Sequence, residues 1–239
     1  MLAAGRKLTY CTTSKLTSRT SSMVPCASST PPGPNNNGDA PKASPSPASA
    51  LNFLLLASNL KTNKRTGWVL RNVHGPESIA DHMYRMSLMS LIAGDTGVDQ
   101  NRCIKMSIVH DVAEAIVGDI TPHCKISKEE KKRLEENAII QMEQMLGAGT
   151  AAANEVGTLW REYEAAQTPE AQWVKDLDKL EMIMQAYEYE TAQPDLNLQE
   201  FFDATENVFK TPLGKAWADE LRARRKSKKQ GDGTADDKS

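Results

Sequence analysis

Residues 101–119, NRCIKMSIVHDVAEAIVGD, decide the fold class. Met106, Ala113 and Val117 fall on one helical face together with His110 and Glu114, and Gly118 closes the segment. An apolar stripe of period 3.6 bordered by ionisable groups is the pattern of a helix whose inner face does chemistry. The same periodicity extends in both directions. It predicts helices over Ala50–Leu60, Glu77–Ala93, Asn101–Val117, Lys128–Leu146, Ala151–Ala165, Pro169–Thr191, Leu198–Phe209 and Pro212–Arg225. Pro76 opens the second, Ser127 with Glu130 makes a capping box for the fourth, and Thr168-Pro169 opens the sixth. Gly94, Gly118 and Gly147 close the second, third and fourth. No stretch alternates β-branched and polar residues, so the expected class is all-α, a single helical bundle over 51–221.

The flanks differ in composition. Residues 1–50 are rich in Ser and Thr and hold seven of the 12 prolines and five basic residues (Arg6, Lys7, Lys15, Arg19, Lys42) against one acid, Asp39. That composition predicts a disordered leader and a transit peptide, plastid first, with mitochondrion and cytoplasm as alternatives. Residues 222–239 carry a basic run and then an acidic, Gly-containing stretch, read as a charged flexible tail.

The chain of 239 residues has 29 Lys+Arg against 31 Asp+Glu, a formal charge of −2. Without the leader, 24 basic residues face 30 acidic ones, which argues against a nucleic acid polymer as partner. No apolar stretch approaches the roughly 20 residues of a membrane span. Cys11, Cys26, Cys103 and Cys124 have no paired spacing, which excludes a thiolate zinc motif.

Several ionisable residues fall on inward faces. His82 lines up with Ile79, Met86 and Met89, and Asp178 with Val174 and Met182, whereas Asp176 is expected to face solvent. An inward carboxylate needs a cation or a metal, and the nearest lysine in sequence to Asp111 and Glu114, Lys105, is more than a turn away. His82, His110, Asp111 and Asp178 make an N₂O₂ donor set suited to Mn²⁺, Co²⁺, Fe²⁺ or Mg²⁺, built in a bundle interior. Glu114 and Asp119 remain beside it for proton transfer or a second, weaker cation.

His82, then His110-Asp111, then Asp178 in an all-α chain resemble the H…HD…D signature of the HD-domain metal-dependent phosphohydrolases. Arg65-Thr66-Gly67-Trp68, Asn72-Val73, Pro76-Glu77-Ser78, Asp81 to Met86, His110 to Glu114 and Val117 to Ile120 resemble, more narrowly, the eukaryotic HD-domain-containing 5′-deoxynucleotidases. The resemblance implies that His82, His110, Asp111 and Asp178 ligate one divalent cation (Mn²⁺, Co²⁺ or Mg²⁺). It implies that Glu114 and Asp119 are catalytic or hold a second cation, with the Ile120 main-chain oxygen a further ligand. Trp68 then packs on the deoxyribose and rejects ribonucleotides. Bacterial relatives place an Arg immediately before that Trp; here it is Gly67, so Arg65 or Arg71 holds the phosphate. The implied reaction is hydrolysis of 2′-deoxyribonucleoside 5′-monophosphates to deoxynucleoside and phosphate. Another nucleotide substrate of an HD phosphohydrolase, or a non-catalytic metal- or nucleotide-binding module, are the alternatives. The resemblance also implies a homodimer, for which Trp160, Tyr163, Trp173, Tyr187 and Tyr189 offer aromatic surface or simply core.

Overall fold

A computed structural model describes residues 43–232. Most of the expected leader (1–42) and the end of the expected tail (233–239) lie outside the described residues. Among the described residues the fold is all-α, with one isolated bridge, Lys64 to Ser78, in place of any strand. The helices are α1 (Pro47–Ala57), α2 (Asn59–Thr62), α3 (Thr66–Leu70), α4 (Ile79–Ile92), α5 (Gln100–Val109), α6 (Glu114–Val117), α7 (Lys128–Leu146), α8 (Ala151–Ala165), α9 (Pro169–Ala192), α10 (Gln199–Asp203) and α11 (Pro212–Asp232).

Local chemistry sets most of the boundaries. At α4 the cap is Ser78, two residues past the proline singled out by sequence. Its Oγ accepts the Asp81 N–H at 3.2 Å and Asp81 Oδ2 accepts the Ser78 N–H at 2.8 Å, a reciprocal capping box. Ser127, Thr150 and Thr168 cap α7, α8 and α9 through their hydroxyls. Gly118 stops α6 at φ 75°, a backbone conformation that glycine adopts without strain.

α9 is the centre of the bundle, meeting α4, α5, α8, α10 and α11. Its Trp173, Val174, Leu177, Leu180, Ile183 and Ala186 are all buried, at about 1.5–3 kcal/mol for each large side chain removed from water. Trp160, Tyr163, Trp173 and Tyr189 are likewise buried within one chain and Tyr187 is half-buried, so these aromatics are core and not a free surface.

Two expected bounds shift: α1 begins at Pro47, inside the expected leader, behind a Ser46 cap, and only α10 stands where a helix over Leu198–Phe209 was expected. The structure departs from the sequence expectations at three further places. Asp176 is buried, because Lys210 N–H, Thr211 N–H and Thr211 Oγ all donate to its carboxylate and tie the entry of α11 to α9. The last helix runs through the basic stretch to Asp232, where a flexible tail from 222 was expected. Arg225 is the reason: it reaches back to Glu190 on α9 with bonds of 2.6 and 2.8 Å and covers the Phe202 ring. Finally, the helix expected over Asn101–Val117 breaks at His110. The Ser107 carbonyl, which the Asp111 N–H takes in a continuous helix, accepts the His110 Nδ1–H at 2.9 Å, and the chain tightens into bonds from Val112 to Val109 and from Glu114 to Asp111.

Candidate metal centre

His82 from α4 and His110 and Asp111 from the break after α5 bring their ligand atoms within 4.8 Å of one another, and Asp178 from α9 joins them on the His82 side. His82 Nε2 lies 3.4 Å from Asp178 Oδ1 and 3.8 Å from Asp111 Oδ2, and His110 Nε2 lies 3.2 Å from the same Asp111 oxygen. The two imidazoles meet edge-on with centroids 5.3 Å apart. Both Nε2 atoms are buried and have no hydrogen-bond partner, an arrangement that costs free energy unless a cation completes it. The Nδ1 atoms are occupied. That of His110 donates to the Ser107 carbonyl, and that of His82 faces the Glu181 carboxylate at 2.5 Å. Two imidazole nitrogens and two carboxylates therefore point at one place, and this donor set fits a divalent cation.

The electrostatics match. Burial opposes ionisation of Asp111, but His110, Arg65 and His82 outweigh it and hold the carboxyl below its ordinary range. Asp178 is held down in the same way against burial by Lys179, His82 and His110, with Lys179 Nζ and Tyr163 Oη donating to its Oδ2 at 2.9 and 3.1 Å. Burial and Arg65 press the His82 pKa down, whereas Glu181 and Asp178 lift it to about 9, so a cation held at Nε2 would have to displace a proton.

Around this centre stand the remaining residues. Arg65 Nη1 is 3.0 Å from Asp111 Oδ2 and Nη2 is 3.9 Å from Asp178 Oδ1. Asp111, Asp119, Glu114 and Asp178 keep it charged against the cost of burial. Glu114 is buried with Oε2 unpartnered; burial, Asp111 and Asp119 raise its pKa well above the ordinary value. Asp119 Oδ2 accepts the Thr66 N–H at 2.6 Å and so anchors the start of α3, next to Arg65. The Ile120 carbonyl accepts Lys131 Nζ at 3.0 Å. Trp68 is buried, its indole N–H donating to Glu77 Oε1 at 2.9 Å and its ring against Phe201 and Tyr189. Arg71 takes no part in the centre; Glu200 holds it at 2.6 and 2.7 Å.

Sequence reasoning missed Glu181, Lys131, Tyr163 and Lys179 as neighbours of the centre. Glu181 had a legible signal, since it follows Asp178 by three on α9 and shares its face. Lys131 had none, because only the packing of α6 on α7 brings it to Ile120.

The protein-family model described as HD domain matches residues 57–217. A 5′-deoxynucleotidase of Dictyostelium discoideum is 47% identical over 188 residues, 74% of this chain and 98% of that protein. A 5′-deoxynucleotidase of Danio rerio is 49% identical over 163 residues, covering 68% of this chain and 80% of the relative. Among solved structures, the HD domain-containing protein YGK1 of Saccharomyces cerevisiae superposes with a TM-score of 0.59 at 31% identity, over 77% of this chain and 88% of that one.

Proposed function

This chain belongs to the HD-domain family, and from that premise we propose that it is a metal-dependent 5′-deoxynucleotidase. It hydrolyses 2′-deoxyribonucleoside 5′-monophosphates (dAMP, dCMP, dGMP, dTMP) to deoxynucleoside and phosphate. The observation that carries this is the pair of buried, unpartnered Nε2 atoms of His82 and His110 facing the carboxylates of Asp111 and Asp178 beside an arginine. These four residues would hold a divalent cation, which would supply polarisation of the phosphoryl group and water acidic enough to attack near neutral pH. The hard and borderline donors suit Mn²⁺, Co²⁺ or Mg²⁺.

The chain's own residues do the rest. We assign the phosphate to Arg65, which is charged and adjoins Asp111, whereas Arg71 is neutralised by Glu200. Glu114 Oε2, buried and without a partner, orients the attacking water and would take its proton once a cation held at the centre offsets the Asp111 and Asp119 charges that raise its pKa. The new bond joins water oxygen to phosphorus, the bond to the 5′-oxygen breaks, and the proton returns to that oxygen with Asp119 flanking Glu114. Trp68 stands three residues after Arg65, and its main-chain N–H donates to the Arg65 carbonyl at 3.1 Å, so phosphate and sugar contacts come from one short helix and its cap. Glu77 locks the indole, a fixed wall against a 2′-hydroxyl.

We assign the homodimer contact to the face of α4 that leaves Tyr84, Leu88, Leu91 and Ile92 exposed, which sedimentation of the protein and of Leu91→Glu tests. The composition of residues 1–50 supports plastid import, with mitochondrion and cytoplasm the contrary outcomes of a fluorescent-fusion experiment.

The activity is tested by phosphate release from matched deoxy- and ribonucleoside monophosphates, using protein stripped of metal and then given Mn²⁺, Co²⁺ or Mg²⁺. Metal-dependent turnover of the deoxy set alone is expected. Equal turnover of the ribo set removes the role of Trp68, and no release from either set removes the proposed reaction.

A further inference from the structure

The two histidines are held by different devices. His110 turns its Nδ1–H to a carbonyl three residues back in its own segment, a local and neutral contact. His82 instead faces a carboxylate from another helix, at a distance of 2.5 Å. We propose that Glu181, braced by Arg85, is the positioning residue of the centre, fixing the ring and tautomer of His82 for metal ligation. The inference rests on reading the site as a metal centre, and adds a residue that touches neither substrate nor cation.

The argument begins with the proton. A carboxylate only accepts, so Glu181 Oε2 places the hydrogen on His82 Nδ1 and leaves Nε2 as the ligating atom, turned toward Asp178 and Asp111. A hydrogen bond from Nδ1–H to a carboxylate also makes Nε2 a stronger donor.

The energetic cost identifies the device as built for this purpose. Glu181 is completely buried, and a buried carboxylate is tolerated only beside positive charge. Arg85 supplies it, with Nε 3.1 Å from Glu181 Oε1. The guanidinium is fixed from the other side by Gln185 and by Glu188, the latter at 2.7 Å. The spacing makes this a seam between two helices. His82 and Arg85 are three apart on α4, and Asp178, Glu181, Gln185 and Glu188 succeed one another at three or four along α9. The seam thereby holds in register the two helices that each contribute a ligand, His82 and Asp178.

The test uses the full chain, with Glu181→Gln as the main variant. A glutamine keeps the size but removes the charge and can present its NH₂ to Nδ1, which turns the ring's proton to Nε2. Mn²⁺ affinity measured by electron paramagnetic resonance is expected to fall about 10- to 100-fold. The downfield Nδ1–H resonance of His82, followed in the Mg²⁺-loaded protein, is expected to disappear or move upfield. Turnover is expected to return at saturating metal with the KM for substrate unaltered. A merely structural ion pair predicts a lower melting temperature with Mn²⁺ affinity and the His82 resonance as in the wild type, and that result overturns the proposal. Should Glu181→Gln fail to fold, Arg85→Met leaves Glu181 in place and frees its brace. A several-fold weaker Mn²⁺ affinity in that variant supports the proposal, and wild-type affinity refutes it. Because metal binding is read without substrate, failure here is distinct from failure of the deoxynucleotidase assignment.

Discussion

Replacing Arg225 by methionine tests whether the basic run after residue 221 belongs to the folded domain. Its guanidinium gives Glu190 bonds of 2.6 and 2.8 Å, bonds Gln199 at 2.7 Å and lies 3.8 Å from the centre of the Phe202 ring. The side chains of Arg225 and Glu190 are only 10% and 8% exposed. Removing one partner of a buried pair costs about 3–5 kcal/mol, since the other charge is left in a poor solvent. Glu190 keeps the Leu198 N–H at 2.8 Å and has Lys229 at 3.7 Å, which points to the lower end, about 3 kcal/mol. For a domain of this size each kcal/mol moves the melting temperature by about 2–4 °C, so a fall of about 6–12 °C is expected in thermal unfolding followed by circular dichroism. Glu190→Gln in the same background should recover much of it, because the stranded charge is gone. The pH dependence carries the same information. Burial pushes the Glu190 pKa up, but Arg225 and the Leu198 N–H outweigh it and depress it, so its stabilisation is present above about pH 4.5 and is lost as pH falls through the folded value. That loss should be smaller in Arg225→Met, where the Leu198 N–H and Lys229 remain but Arg225 is gone. A change within about 0.5 kcal/mol, the size typical of an exposed pair, would refute the reasoning and return residues 222–232 to the status of a tail.

His110→Ala should abolish phosphate release, because uncatalysed phosphomonoester hydrolysis is among the slowest of reactions and one lost ligand removes the cation. Divalent metal at about 100 times its Kd should stabilise the wild type by about 2.7 kcal/mol, a shift that His110→Ala should lose in the same melting experiment. Arg65→Met should lower kcat/KM about 100-fold or more, whereas Arg71→Met, which removes only an exposed pair with Glu200, should leave it within about twofold; steady-state kinetics on a deoxy substrate reverses the assignment if the order is opposite. Burial, against the pull of Lys131, raises the Glu135 pKa to about 7, so the folded state keeps a proton that the unfolded chain loses. Stability should therefore fall as pH rises from about 4.5 to 7, and urea titrations of Glu135→Gln should show a shallower slope over that window.

Much of the fold and part of the centre are legible in the sequence. Helices α7 and α9 start where periodicity and the caps at Ser127 and Thr168 put them, since side chain and backbone within one turn decide those ends. The inward faces of His82 and Asp178 follow from 3.6-residue spacing alone. The break at His110 was not legible, because it depends on which donor wins the Ser107 carbonyl, and Asn101–Val117 has the pattern of one continuous helix.

The helical class and the donor types are therefore written in the chain, because periodicity and side-chain chemistry are local properties. Which groups meet depends on the packing of helices far apart in sequence. Helix packing chose Arg65 over Arg71 for the centre, brought Glu181 behind His82, set Lys131 against Ile120, and turned Asp176 and Arg225 from expected surface into buried partners. The physical reason is that a buried charge is tolerated only beside its counter-charge, and which counter-charge lies within about 3 Å is settled by how helices distant in sequence cross.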